Sequence, residues 1–240
     1  MVGPASSQAE INGMKRIVEP ELLDELPPDN PRAARSRRDL RRVNAWMRNH
    51  VIMASALENN LNGLVPEHIT ELGAGDGVFL LRVAKQISPR WTKMNAALLD
   101  RQNIVTPSML ASFALLGWRA ETVVTDVFDW AQAPAQIVIA NLFLHHFEDT
   151  RLAELLRTVS ERSKLFVAIE PHRFHHAFSC CQLLWLIGCN AVTRHDAVAS
   201  VRAGFLGGEL SALWPDKQNW QLTERRAGLF SHLFVARRIH

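Results

Sequence analysis

Glu71-Leu72-Gly73-Ala74-Gly75-Asp76-Gly77 is the stretch that decides how this chain folds. His68-Ile69-Thr70 leads into it after Pro66, and the amphipathic run Val78-Phe79-Leu80-Leu81-Arg82-Val83-Ala84 leaves it. That order predicts a strand, a glycine turn and the start of a helix. Glycine is needed where the backbone takes positive φ or where a ligand must lie against it. The first turn of the helix offers N–H groups with no partner inside the helix. A phosphate cradle would want bare N–H groups and a lysine. Glu71 and Asp76 would repel a phosphate, and they suit a ligand carrying an amine or a positive charge. Nor is the spacing that of a dinucleotide site, G-x-G-x-x-G, because Val78 stands where the third glycine belongs. The plainer alternative is a tight strand–helix turn with no ligand.

Outward from this turn the pattern alternates. Further strands are predicted at residues 96–100, 121–126, 136–141 and 165–170, with helices from about 107 to 116 and from 148 to 162 between them. Residues 136–141 are nearly all apolar, as in a parallel strand covered on both faces. This rhythm predicts an α/β fold with a doubly wound, mostly parallel sheet. After the fifth strand come two helices, 174–189 and 196–214, and then two strand-like runs, 220–226 and 229–238, that would pair antiparallel. The count is a seven-stranded sheet with an antiparallel C-terminal end. Residues 1–38 read as a tail and lead-in, and 39–240 as one domain in which 174–214 form a helical insertion. Arg32, Arg35, Arg37, Arg38, Arg41 and Arg42 merge into apolar positions at helical spacing from Leu40 to Leu57. That is an amphipathic helix with a basic leading face, either packed on the sheet or lying as a lid over its ligand, with Asn44 and Trp46 toward the site.

The glycine turn resembles the first motif of the class I S-adenosylmethionine-dependent methyltransferases, E/D-x-G-x-G-x-G. In an open parallel sheet ligands bind beyond the carboxyl ends of the strands, and the residues there extend the resemblance. It implies S-adenosyl-L-methionine as cofactor, with Glu71, Gly73, Ala74 and Gly75 under its methionine part and ribose. Asp100 would hold the ribose hydroxyls and Arg101 would flank the adenine. Asp126 would accept from the adenine amino group with Val127 against the ring, and Asn141 and Leu142 would close the site at the fourth strand. The segment Asn141-Leu142-Phe143-Leu144-His145-His146-Phe147 is similar to that of small-molecule methyltransferases. It lacks the Asn/Asp-Pro-Pro-aromatic motif of enzymes acting on nucleic-acid bases.

Methyl transfer needs alignment of donor and acceptor and, for a hydroxyl or an acidic carbon, a group to take the proton. Histidine suits that near neutral pH. His145 and His146 are the first candidates, followed by His172, His175 and His176, and by His195 beside Asp196. The spacing of His172, His175 and His176 also admits a metal, but no thiolate or carboxylate set accompanies them, and no metal is expected. An acceptor chamber is expected from the insertion, with His172, Phe178, Trp185, Phe205 and Trp214 as its walls and a bend at Gly204, Gly207 and Gly208. The same aromatic residues could instead simply fill the core.

Among 240 residues, 48% are hydrophobic and the net charge is +3, enough for one substantial core and too little charge to argue for nucleic acid. Three cysteines without metal-site spacing read as buried thiols in a reducing compartment. With no signal sequence and no apolar stretch long enough to span a bilayer, a cytoplasmic location is expected. The expected function is methyl transfer to oxygen or carbon of a hydrophobic small molecule that is phenolic, quinonoid or polyketide-like. No nucleic-acid partner is expected, and the state is a monomer or a homodimer. The alternatives are an RNA or protein methyltransferase, motivated by the arginines, and a non-catalytic cofactor-binding relative.

Overall fold

A computed structural model describes residues 15–27, 30–130, 135–174, 181, 184, 186 and 188–239. Seven strands form one sheet: β1 (His68–Leu72), β2 (Asn95–Asp100), β3 (Arg119–Val124), β4 (Ile137–Asn141), β5 (Leu165–Pro171), β6 (Trp220–Ala227) and β7 (Ser231–Arg238). Their order is β3-β2-β1-β4-β5-β7-β6. The first five run parallel, and β7 pairs antiparallel with both β5 and β6. Strand order reverses between β1 and β4, which opens a crevice at their carboxyl ends.

Alternation along the central strands builds a core on each face. Ile137 and Ile139 of β4 with Leu165, Val167 and Ile169 of β5 face one cluster. Val138, Ala140, Phe166 and Ala168 face the other. This is the period-two pattern of a sheet covered twice. The helices are α1 (Leu22–Glu25), α2 (Pro31–Met47), α3 (Asn49–Asn59), α4 (Val78–Ile87), α5 (Pro107–Ala114), α6 (Asp149–Arg162), α7 (Ala191–Ala203) and α8 (Glu209–Leu213). Met53 and Leu57 of α3, Leu80 and Val83 of α4 and Phe113 of α5 cover the first face. Leu152, Leu155, Leu156 and Val159 of α6 with Leu210 of α8 cover the second. Local chemistry sets the helix starts: Thr106 Oγ1 accepts from Met109 N–H at 3.2 Å with Pro107 at the first position, and Asn190 Oδ1 accepts from Thr193 N–H at 2.8 Å.

The helices depart from the sequence reading in two places. The N-terminal helix runs from Pro31, so the arginines do form its leading part, but it is broken after Met47, where Arg48 takes φ 56°. Ala33, Ser36 and Asp39 on its first turns are buried. The expected helix 196–214 is two helices, α7 and α8. A Cβ on Gly204 would stand 2.4 Å from the Pro171 carbonyl oxygen, which accepts from Phe205 N–H at 2.9 Å. The chain leaves helical form there because it is stitched to the end of β5. Most of the expected helix 174–189 lies outside the described residues, as do Cys180, His175, His176, Phe178 and Trp185. Cys181 and Cys189 are buried. No helix among the described residues is long and apolar enough to cross a membrane.

Candidate active site

At the tip of β1 the glycines take the conformation that their residue type permits: φ is +66° at Gly73, +54° at Gly75 and +77° at Gly77. A Cβ on Gly73 would lie 2.2 Å from the Phe143 ring, whereas nothing stands within 4 Å of one on Gly75. Gly73 thus admits an aromatic ring against its backbone, and Gly75 leaves its own face open. The neighbouring strand tip is tied to this turn. Asp100 accepts from Gly75 N–H through Oδ2 and from Gln102 N–H through Oδ1, both at 2.8 Å. Ala74 N–H donates to Leu99 O at 2.9 Å. Asp126 accepts from Phe128 N–H at 3.0 Å and starts a single helical turn over buried Val127.

These tips border a cavity of about 760 Å³ whose walls include Gly73, Gly75, Asp100, Arg101, Asp126, Val127, Asn141, Leu142, His145 and His146. A smaller one of about 140 Å³ adjoins it between α2 and the glycine turn, lined by Arg41, Asn44, Glu71, Ala74 and Asp76 among others. Two buried oxygens on its lining residues, Glu71 Oε2 and Asn44 Oδ1, have no hydrogen-bond donor. Burial, then the charges of Asp76 and Asp100, push the Glu71 carboxyl well above its usual range, against a hydrogen bond from the Leu80 N–H. Arg41 pairs with Asp76 at 2.9 Å, so α2 lies across this end. Trp46 points elsewhere: it is exposed and rests against Phe230. Asn141 Oδ1 accepts from Asn49 at 3.0 Å, and Leu142 takes φ 52° at the strand end.

At the opposite end of the large cavity, Glu170 at the tip of β5 is fully buried and accepts from the N–H groups of Phe143 and Leu144 at 3.1 and 2.9 Å. His145 Nδ1 lies 2.8 Å from its Oε2, and Nε2 lies 3.4 Å from Glu21 Oε1. Burial alone would lower the His145 pKa, but the two carboxylates outweigh it and raise it to about 9. Glu21 goes the other way, to about 2: burial would raise it, and the hydrogen bond and charge of His145 prevail. Glu21 belongs to an N-terminal strap. Arg16 anchors the strap on Ala203 O (2.8 Å), Phe147 O (2.7 Å) and Asp149 (2.8 Å), and Asp196 accepts from Leu22 and Leu23 N–H at 2.8 and 3.1 Å.

No protein-family model matches the chain, and no curated protein matches it in sequence. Its architecture does have counterparts among solved structures. The plantazolicin methyltransferase BpumL in complex with SAH superposes at TM-score 0.65 with 12% identity, over 88% of this chain and 91% of that one. An O-methyltransferase family protein from Burkholderia thailandensis gives 0.57 and 15%, over 98% and 68%. The mitomycin 7-O-methyltransferase MmcR gives 0.57 and 16%, over 90% and 60%. The chain has a methyltransferase fold.

Within this methyltransferase fold, Gly73, Gly75, Asp100, Arg101, Asp126, Val127, Asn141, Leu142, His145 and His146 share the large cavity, and Glu71, Ala74 and Asn44 share the small one. Of the walls assigned to the acceptor chamber, His172, Phe205 and Trp214 do not, and Phe178 and Trp185 lie outside the described residues. Phe205 and Trp214 are buried in the second core, Trp214 stacked on Phe166, and an apolar aromatic pattern reads the same for a core as for a chamber. His172 stands beside β7, its ring parallel to that of His232. Burial, then the charges of His232, Arg226 and Arg173, lower its pKa to about 4. His195 contacts Asp196 at 3.2 Å, but that carboxylate serves the strap. Sequence reasoning missed Glu21 and Glu170. An acid at the tip of β5 was a readable signal for Glu170, whereas Glu21 is 124 residues from His145 and no spacing connects them.

Proposed function

We propose that this chain binds S-adenosyl-L-methionine across the tips of β1, β2 and β3. We propose further that it directs the methyl group to an oxygen, or an acidic carbon, of a largely apolar small molecule. The observation that carries this reading is the pair of buried oxygens, Glu71 Oε2 and Asn44 Oδ1, on the walls of the small cavity without a donor. An unsatisfied buried acceptor costs about 1–3 kcal/mol, and a ligand ammonium group answers both. The remaining residues fit the same ligand. Asp100 has a lone pair left on each oxygen for a ribose diol. Asp126 and Val127 suit an adenine, and the open face of Gly75 admits close approach of a ligand.

When bound, the sulfonium supplies an activated methyl group, and the chain's task is to position and deprotonate the acceptor. Glu170 holds His145 by Nδ1 and leaves Nε2 as the nitrogen available to an acceptor hydroxyl. While Glu21 is seated, it and Glu170 favour the protonated imidazole, which works against His145 as a base. Withdrawal of the strap would free Nε2 to take the proton of an acceptor hydroxyl. Leu40, Leu142, Phe143 and Phe147 supply apolar walls for the acceptor body. The structural relatives named for O-methylation fit this choice.

Calorimetry with S-adenosylmethionine, S-adenosylhomocysteine and NAD tests the proposal. The first two are expected to bind and NAD is not, and Asp100→Ala is expected to weaken binding by about tenfold or more, the loss of one charged hydrogen bond. Equal or tighter binding of NAD would end it.

A further inference from the structure

We infer that Glu21, His145 and His146 form a clasp for one divalent transition-metal ion of the zinc type, which fastens the N-terminal strap over the acceptor end of the cavity. One ligand atom of each residue lies within 4.8 Å of the other two. The spacing of one pair carries the argument. His145 and Glu21 are only 4% and 11% exposed, yet Nε2 and Oε1 stand 3.4 Å apart. A charge-assisted hydrogen bond between such groups closes to about 2.7–2.9 Å. Two ligand atoms bound tetrahedrally at about 2.0–2.1 Å from an ion lie about 3.4 Å from each other.

The outer contacts are those of a ligand set. Glu170 fixes His145 by Nδ1 at 2.8 Å, which turns Nε2 inward, and the Ser200 hydroxyl donates to the Glu21 carboxylate. Two imidazoles and one carboxylate suit zinc or cobalt(II) with a fourth position left to the cavity. Magnesium and calcium prefer oxygen ligands throughout. Glu21 rides on the strap, whereas His145 and His146 follow β4, so the ion would join two segments far apart in sequence. It would also hold the Nε2 lone pair. The inference stands apart from the cofactor reading.

The test uses the full chain freed of metal and titrated with zinc chloride against a chromophoric chelator, and with cobalt(II) for the visible absorption of a tetrahedral site. One ion per chain is expected. Glu21→Gln and His146→Ala should each weaken binding by about tenfold or more, while His68→Ala, at an exposed histidine on β1, should not. Circular dichroism melts establish that each variant is folded. Zinc should slow tryptic cleavage at Lys15 and Arg16 in the wild type and leave the Glu21→Gln rate unchanged. S-adenosylhomocysteine binding is measured in parallel, so loss of either reading is seen without the other. No stoichiometric ion, or an ion held as tightly by both variants, overturns the clasp.

Discussion

Glu71 is an acid with 2% exposure and one oxygen without a partner, a costly arrangement for a residue that only had to end a strand. Its raised pKa has a consequence for stability. Above its usual range the unfolded carboxyl gives up its proton while the folded one keeps it, so the folded state binds more protons and stability falls as pH rises through that window. Glu71→Gln should therefore flatten the decline of Tm as pH rises above the usual carboxyl range in the ligand-free chain, while weakening S-adenosylmethionine binding by about tenfold. Parallel melts and titrations check both halves, and a variant that loses stability at pH 8 contradicts the argument. Asn44, the other unpartnered acceptor, lines both cavities, and on the proposed reading its oxygen meets the ammonium of the methionine part. Asn44→Ala should weaken S-adenosylmethionine but leave 5′-methylthioadenosine, which lacks the amino-acid part, bound as before.

Elements differ in how openly the sequence announces them. The parallel strands could be read because burial on both faces demands unbroken apolar runs such as Ile137-Val138-Ile139-Ala140. The glycine turn was legible because three positive-φ positions in five residues leave few other residue types. The region after β5 was not. Its aromatic residues are required equally by a wall and by a core, and the helix break at Gly204 depends on a carbonyl of Pro171 that no local pattern reveals. That break is a packing constraint. Gly204→Ala should cost about 1–3 kcal/mol and lower Tm, whereas Gly75→Ala, with open space but φ +54°, should cost about 1–3 kcal/mol through backbone strain alone. Melts of both, with and without S-adenosylhomocysteine, separate the two causes, since only Gly75 borders the cavity.

Across the whole molecule the proposed cofactor end and the proposed acceptor end have different origins. The first is written into consecutive strand tips, each a short step from a recognisable motif. The second is assembled from the chain's start and the far side of the sheet. Arg16 meets Ala203, Phe147 and Asp149, and Glu21 meets His145 and Ser200, over separations of 124 to 187 residues. Arg16→Ala should loosen the strap at a cost of about 1.5–3 kcal/mol, the worth of hydrogen bonds to a charged group. S-adenosylhomocysteine affinity should stay unchanged, and hydrogen exchange at residues 16–23 would report the loosening. Equal loss of cofactor affinity would mean that the two ends are not separable.

The clamp on Asp100 reaches further than its two bonds. A carboxylate already seized by the amides of Gly75 and Gln102 has almost no rotation left to surrender when a sugar arrives. On the proposed reading the socket for the ribose is cast in advance, and a nucleoside fragment should find it as ready as the complete cofactor does.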